Sequence, residues 1–158
     1  MKSSVYVESS VISYLTARPS RDVVKSARQT LTVEWWQSSQ AEFNIFVSTL
    51  VRKEIAAGDP VAAAQRLAII QDTALLGVSS EAERIADALI SEKALPDNSQ
   101  EDALHIGIAA AHGMDYLLTW NFKHINNAKK KSHVIGVVQN LGFFCPMLCS
   151  PEELGVES

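Results

Sequence analysis

Three carboxylates and one amide stand where an open α/β sheet would gather ligands, outside the carboxyl ends of its strands. Glu8 ends the apolar run Val5-Tyr6-Val7 and is followed by Ser9-Ser10 and the helix-like stretch Val11 to Leu15. Glu54 lies in Ser48-Thr49-Leu50-Val51-Arg52-Lys53-Glu54-Ile55, three and four residues from Val51 and Leu50, and so beside the inward face of a helix. Asp102 opens the run Ala103 to Ala111, which is apolar on nearly every side and therefore buried. Asn121 follows Leu117-Leu118-Thr119-Trp120, where its side-chain carbonyl can cap a turn or coordinate a cation. Carboxylates brought together raise one another's pKa unless a cation settles among them. Oxygen donors without clustered Cys or His select a hard ion, so Mg²⁺ or Mn²⁺ is expected.

Each residue also has a plainer role. Glu8 would complement the dipole at a helix start, and Glu54 would pair with Arg52, Lys53 or a distant base. Ser99 to Asp102 has the spacing of a capping box, although that motif prefers Glu or Gln at its third position. His105 follows Asp102 by one turn inside the apolar helix, which points to a satisfied core histidine rather than a base. Asp115 begins a strand, at the end away from the expected pocket, and is expected to be structural.

The elements that must position these side chains follow from the hydrophobic pattern, in which short β-rich runs alternate with longer helical ones. Strands are predicted over 4–8, 44–48, 74–78, 115–119 and 146–149. Helices are predicted over 10–17, 22–40, 49–57, 60–71, 80–94, 99–112 and 131–141. Gly58-Asp59-Pro60 and Leu95-Pro96-Asp97-Asn98 break the pattern. With right-handed crossovers, the four candidate residues fall at one edge of a parallel sheet. Trp35 and Trp36 point about 100° apart on one helix and cannot form a single stacking platform, so at least one belongs to the core.

The 158 residues suit one domain, and 47% hydrophobic against 20% charged residues supply a proper core. No apolar run resembles a signal peptide or membrane span, so a soluble cytoplasmic protein is expected. Cys145 and Cys149 are two thiols without a second pair, which excludes a structural zinc site and leaves free thiols. A formal charge of −4 argues against a whole-surface grip on nucleic acid. The basic concentration is Lys123, His124, Lys129, Lys130, Lys131 and His133, either a solvated turn or a local phosphate contact.

The ordered set Val5 to Leu15, Ser48 to Ile55, Asp102 to Ile106 and Asp115 to Ile125 resembles the PIN domain, close to the VapC-type toxins of bacterial toxin-antitoxin systems. The resemblance spans nearly the whole chain. It implies a single PIN-like domain over 1–158 with a three-layer α/β/α fold and a parallel sheet of about five strands ordered 3-2-1-4-5. It further implies an acidic pocket holding Mg²⁺ or Mn²⁺ for endoribonuclease action on RNA phosphodiesters, leaving 5′-phosphate and 3′-hydroxyl ends.

By position, Glu8, Glu54, Asp102 and Asn121 would be the catalytic and metal-holding set, with Ser10 supporting the first acid. Lys123, Lys129, Lys130 or Lys131 would contact the RNA backbone. A homodimer and an antitoxin protein partner are expected, and no membrane. Two positions depart from the family's pattern. Glu8 stands where most members have Asp, and its extra methylene moves the carboxylate by a distance comparable to the ~1 Å that can cost about a hundredfold in rate. Asn121 stands where Asp is frequent and removes one negative charge. These departures define the alternative, a catalytically weakened PIN-fold module that binds RNA or protein. A Rossmann-like nucleotide binder is disfavoured, because Glu8-Ser9-Ser10 occupies the turn where Gly-x-Gly-x-x-Gly would lie.

Overall fold

The structure, a computed structural model, describes residues 1–155, so the last three residues of the predicted domain lie outside it. Among the described residues, five strands form one parallel sheet: β1 (Ser3–Val7), β2 (Phe43–Ser48), β3 (Ala74–Leu76), β4 (Tyr116–Leu118) and β5 (Met147–Cys149). The strand order is β3-β2-β1-β4-β5, as expected. The helices are α1 (Ser9–Thr16), α2 (Val23–Ser39), α3 (Thr49–Ile55), α4 (Pro60–Ile69), α5 (Ser80–Ser91), α6 (Gln100–Ala111) and α7 (Lys131–Asn140). Helix α1 packs with α2, α3 and α4, while α5 packs against α6 and α7, giving the three-layer α/β/α arrangement. No described helix is long and apolar enough to cross a membrane.

β3, β4 and β5 are shorter than the sequence pattern predicts, whereas β2 begins one residue earlier, at Phe43, and β1 is shifted by one residue to Ser3–Val7. β3 ends at Leu76, opposite Ser48, because its partner β2 ends there and turns into α3, leaving Gly77 and Val78 exposed. At the sheet centre, Val5, Tyr6 and Val7 are wholly buried, as a strand covered on both faces requires. Their register sets up the site: Val7 lies opposite Leu118, and the Glu8 amide donates to the Leu118 carbonyl at 3.0 Å. The residues leaving β1 and β4, Glu8 and Thr119, are thereby neighbours.

Helix starts are defined by side-chain acceptors on orphan amides. The Ser48 hydroxyl accepts from Val51 N, Asp59 from Ala62 N with Pro60 in the first turn, and Ser79 from Ala82 N. Asp115 accepts from the Ser4 amide at 2.8 Å and donates its own amide to the Ser4 hydroxyl at 3.0 Å. It ties the amino ends of β1 and β4 together, the structural role expected of it. Trp35 is buried and its indole N–H reaches the Leu154 carbonyl at 3.0 Å.

Helix α6, which carries Asp102 and His105, is seated by one small residue. A Cβ on Gly107 would stand 2.2 Å from the Ala82 carbonyl oxygen, so only glycine lets α6 lie this close to α5.

Candidate metal centre

Glu8 is 6% exposed and caps α1, its Oε2 accepting the Ser10 amide at 3.0 Å. Its Oε1 accepts two hydroxyls, Ser10 Oγ and Thr119 Oγ1, both at 2.6 Å. The capping role and the site role therefore coincide in one carboxylate. Ser10 is bonded to the first acid, and its Oγ also accepts the Trp120 amide at 2.9 Å. Thr119 carries no signal in the sequence as a site residue; the parallel pairing of β1 with β4 brings it there.

Glu54 projects from α3 into the same recess, where its Oε1 accepts Ser9 Oγ at 2.5 Å and faces His105 Nε2 at 2.6 Å. Its partner is thus a distant base and neither of the adjacent Arg52 and Lys53. Burial acts to raise the Glu54 pKa, but the hydrogen bond and charge of His105, with the bond from Ser9, override it and hold the group at about 2. Beside it, Glu101 is pushed upward by its hydrogen bond to Glu54 and by that residue's charge. Two carboxyl groups this close compete for one proton.

His105 is 1% exposed and fully bonded, as a core histidine should be, yet it also belongs to the acidic site. Its Nδ1 lies 2.6 Å from Tyr6 Oη, which lies 2.8 Å from Ser48 Oγ. Burial favours the neutral ring, whereas the bond to Glu54 and the charges of Glu8, Glu54 and Asp102 outweigh burial and raise its pKa. Protonated, the ring donates from both nitrogens, to Glu54 and to Tyr6. Burial likewise drives the Tyr6 phenol far above its ordinary range, so it stays a neutral link. The sequence reading separates a core histidine from a site histidine; three-dimensional packing unites the two.

Ligand atoms of Glu8, Glu54 and His105 all lie within 4.8 Å of one another, close enough to share one ion. Asp102, one turn before His105 on α6, is not one of these three, although its charge acts on His105. Its Oδ1 accepts Asn121 Nδ2 at 3.1 Å and its Oδ2 faces His124 Nδ1 at 2.7 Å. Ser99 makes no side-chain cap bond, so the capping-box alternative for Asp102 is not realised. The Asn121 carbonyl oxygen accepts the His124 amide at 3.0 Å, which makes Asn121 a turn cap that also orients Asp102. His124, read from sequence only as part of a basic segment, is the second group holding Asp102.

The predicted basic segment divides. Lys131 donates to the Leu148 carbonyl at 3.3 Å on β5, whereas Lys123, Lys129 and Lys130 are exposed. A second basic segment, Arg18, Arg21, Lys25 and Arg28, is passed over when charge runs alone are read, because Asp22 and apolar residues interrupt it. Cys145 and Cys149 are free, buried thiols, as expected.

No protein-family profile and no curated protein matches the chain. Solved structures do. VapC20 of Mycobacterium tuberculosis, described as a Sarcin-Ricin loop cleaving toxin, matches with a TM-score of 0.58 at 17% identity, over 79% of this chain and 95% of that one. VapBC2 of Rickettsia felis, bound to a DNA fragment from its promoter, matches with a TM-score of 0.53 at 13% identity, over 92% of this chain and 97% of that one. A tyrosyl-tRNA synthetase of Archaeoglobus fulgidus in complex with L-tyrosine matches with a TM-score of 0.50 at 15% identity, over 93% of this chain and 54% of that one. The chain has the PIN-domain fold of VapC-type toxins.

Proposed function

We propose that the protein is a Mg²⁺- or Mn²⁺-dependent endoribonuclease formed by one PIN-like domain, the toxin component of a toxin-antitoxin pair. The observation that carries this reading is the convergence of Glu8, Glu54 and His105 at the carboxyl edge of the sheet, with Asp102 one helical turn before His105 and bonded to Asn121. The donor set fits a hard divalent ion. Glu8 and Glu54 supply oxygen donors, while His105, with both nitrogens committed to Glu54 and Tyr6, supports Glu54 and does not bind the ion.

Glu8, Glu54 and Asp102 would hold the ion, with Asn121 at the fourth polar position. The chemistry such an ion would supply is a lowered pKa for bound water and compensation of charge on phosphate oxygens. Ser10 and Thr119 hold the Glu8 carboxylate in one orientation, the task of groups that support metal ligands. His105 and Ser9 do the same for Glu54 and keep it ionised. Asn121 and His124 aim Asp102. Glu8 fills the position of the usual Asp, held by two hydroxyls on Oε1 and by the Ser10 amide on Oε2, so its longer side chain is anchored rather than loose.

The Rickettsia felis neighbour is VapBC2 bound to a DNA fragment from its promoter, which supports an antitoxin protein as partner here; a homodimer and a cytoplasmic setting complete the proposal. The decisive experiment is RNA cleavage with Mn²⁺ or Mg²⁺, with EDTA, and with Asp102→Asn. Cleavage that needs the ion and falls at least a hundredfold in the variant is expected. Equal RNA decay with and without metal would overturn the nuclease reading and leave a PIN-fold RNA- or protein-binding module. Sedimentation as a monomer at micromolar concentration would remove the dimer.

A further inference from the structure

We infer that the groove between α1 and α2 is the binding track for single-stranded RNA, with Arg18 and Lys25 on its phosphates and Phe122 as its exposed stacking face. This rests on the nuclease reading for its purpose and on separate geometry for its location. The groove has a volume of about 580 Å³, and its lining includes Ser10, Tyr14, Arg18, Lys25 and Gln29. That size falls in the range of roughly 300–1,000 Å³ typical of sites for small molecules, the scale of a nucleotide unit. Ser10 belongs to both places: it lines the groove and donates to Glu8. A strand whose scissile phosphate sits at the acids therefore has its next units at the groove mouth.

The charge of this region opposes that of the whole chain. Arg18, Arg21, Lys25 and Arg28 fall within residues 18–28 against a single acid, Asp22, in a chain of net charge −4. Asp22 is occupied in accepting the Lys25 amide at the start of α2. Arg18 and Lys25 are exposed. In the rival basic segment, by contrast, Lys131 is engaged with the Leu148 carbonyl.

Aromatic groups continue the track. The Tyr14 ring, on the groove wall, lies 5.8 Å from that of Trp120, which lies 6.0 Å from that of Phe122. The Arg28 guanidinium stands over both of the last two rings, 5.4 and 5.1 Å from their centroids. Trp120 is buried, but Phe122 is 38% exposed and follows Asn121, the residue that orients Asp102. Phosphate-binding cations beside aromatic faces are the recurring means of holding single strands without reading sequence. An acidic peptide would use the cations but has no need of the exposed Phe122 ring, which favours RNA.

The test is anisotropy of a short labelled single-stranded RNA in EDTA, so that binding is read without cleavage. Arg18→Ala/Lys25→Ala is expected to weaken binding about tenfold at low salt and to lower the salt slope by roughly 1 to 2. Phe122→Ala is expected to weaken it about tenfold with the salt slope unchanged. Lys129→Ala/Lys130→Ala is measured in parallel, and circular dichroism verifies that each variant is folded. Loss confined to the Lys129/Lys130 pair, or a groove that takes an acidic peptide but not RNA, overturns the track. A protein that binds RNA through the groove yet never cleaves with Mn²⁺ overturns the nuclease reading alone. One that cleaves but binds undiminished in the groove variants overturns the track alone.

Discussion

His105 Nε2 lies 2.6 Å from Glu54 Oε1, joining a buried ring on α6 to a half-buried carboxylate on α3. The pair couples a titrating histidine to the acidic site, and its pH behaviour follows from the two shifts. Glu54 falls from an ordinary 4.5 to about 2, so its contribution is present above 4.5 and is lost as pH drops toward 2. His105 is raised above an ordinary 6.5, so its contribution is present below 6.5 and is lost as pH climbs through the raised value. Metal-free protein should therefore show its largest stability advantage over His105→Ala between 4.5 and 6.5. The advantage there should be about 3 kcal/mol, as for a pair broken by removing one partner. Denaturant unfolding across pH measures it, and a flat difference would remove the ion pair from the account.

Thr119→Val keeps the side-chain shape and deletes the hydroxyl that donates to Glu8 and accepts from the Asn121 amide. Loss of a group that supports a metal ligand lowers affinity by about 10–100-fold. Calorimetric titration with Mn²⁺ should show that loss in a folded variant, with a stability cost of about 1–3 kcal/mol for the stranded partners. Unchanged affinity would mean that the orientation of Glu8 does not govern ion binding.

Gly107→Ala forces a methyl group into the Ala82 carbonyl, where no flexible side chain can yield. The expected cost is about 1–3 kcal/mol, as α6 and α5 move apart. Because α6 carries Asp102 and His105, Mn²⁺ affinity should fall together with the melting temperature. A neutral Gly107→Ala would show that α6 can shift without disturbing either.

Burial pushes the Cys145 thiol up to about 11 and the Cys149 thiol up to about 12, the latter with help from the charge of Glu153. Thiolate is the reacting form, so both should resist alkylation at pH 8 in the folded protein and react once it is unfolded. Mass spectrometry after iodoacetamide treatment distinguishes the two states. Rapid labelling of native protein would contradict the packing of β5.

The amino-acid sequence by itself determined the element order, the parallel sheet and the residues leaving its strands, because burial on both faces writes continuous apolar runs and polar residues mark their ends. Glu8 and Asn121 stand out as polar residues just after strands, and Glu54 and Asp102 as acids on largely apolar helices; of the four, Glu8 and Glu54 fall in one ligand cluster. The order of strands came from the family resemblance, since periodicity says which runs are strands and not which lie side by side. Only tertiary structure decided the partners. Thr119 meets Glu8 across the β1–β4 register, and His105 meets Glu54 across the α6–α3 packing, pairs 111 and 51 positions apart in sequence. For a related reason the sequence does not show that Arg18 and Lys25 line one groove, which forms only when α1 and α2 fold against each other, nor that Arg28 reaches Trp120 and Phe122 after β4. Short-range patterns record which face of an element is buried; what that face touches is settled by chain segments far away.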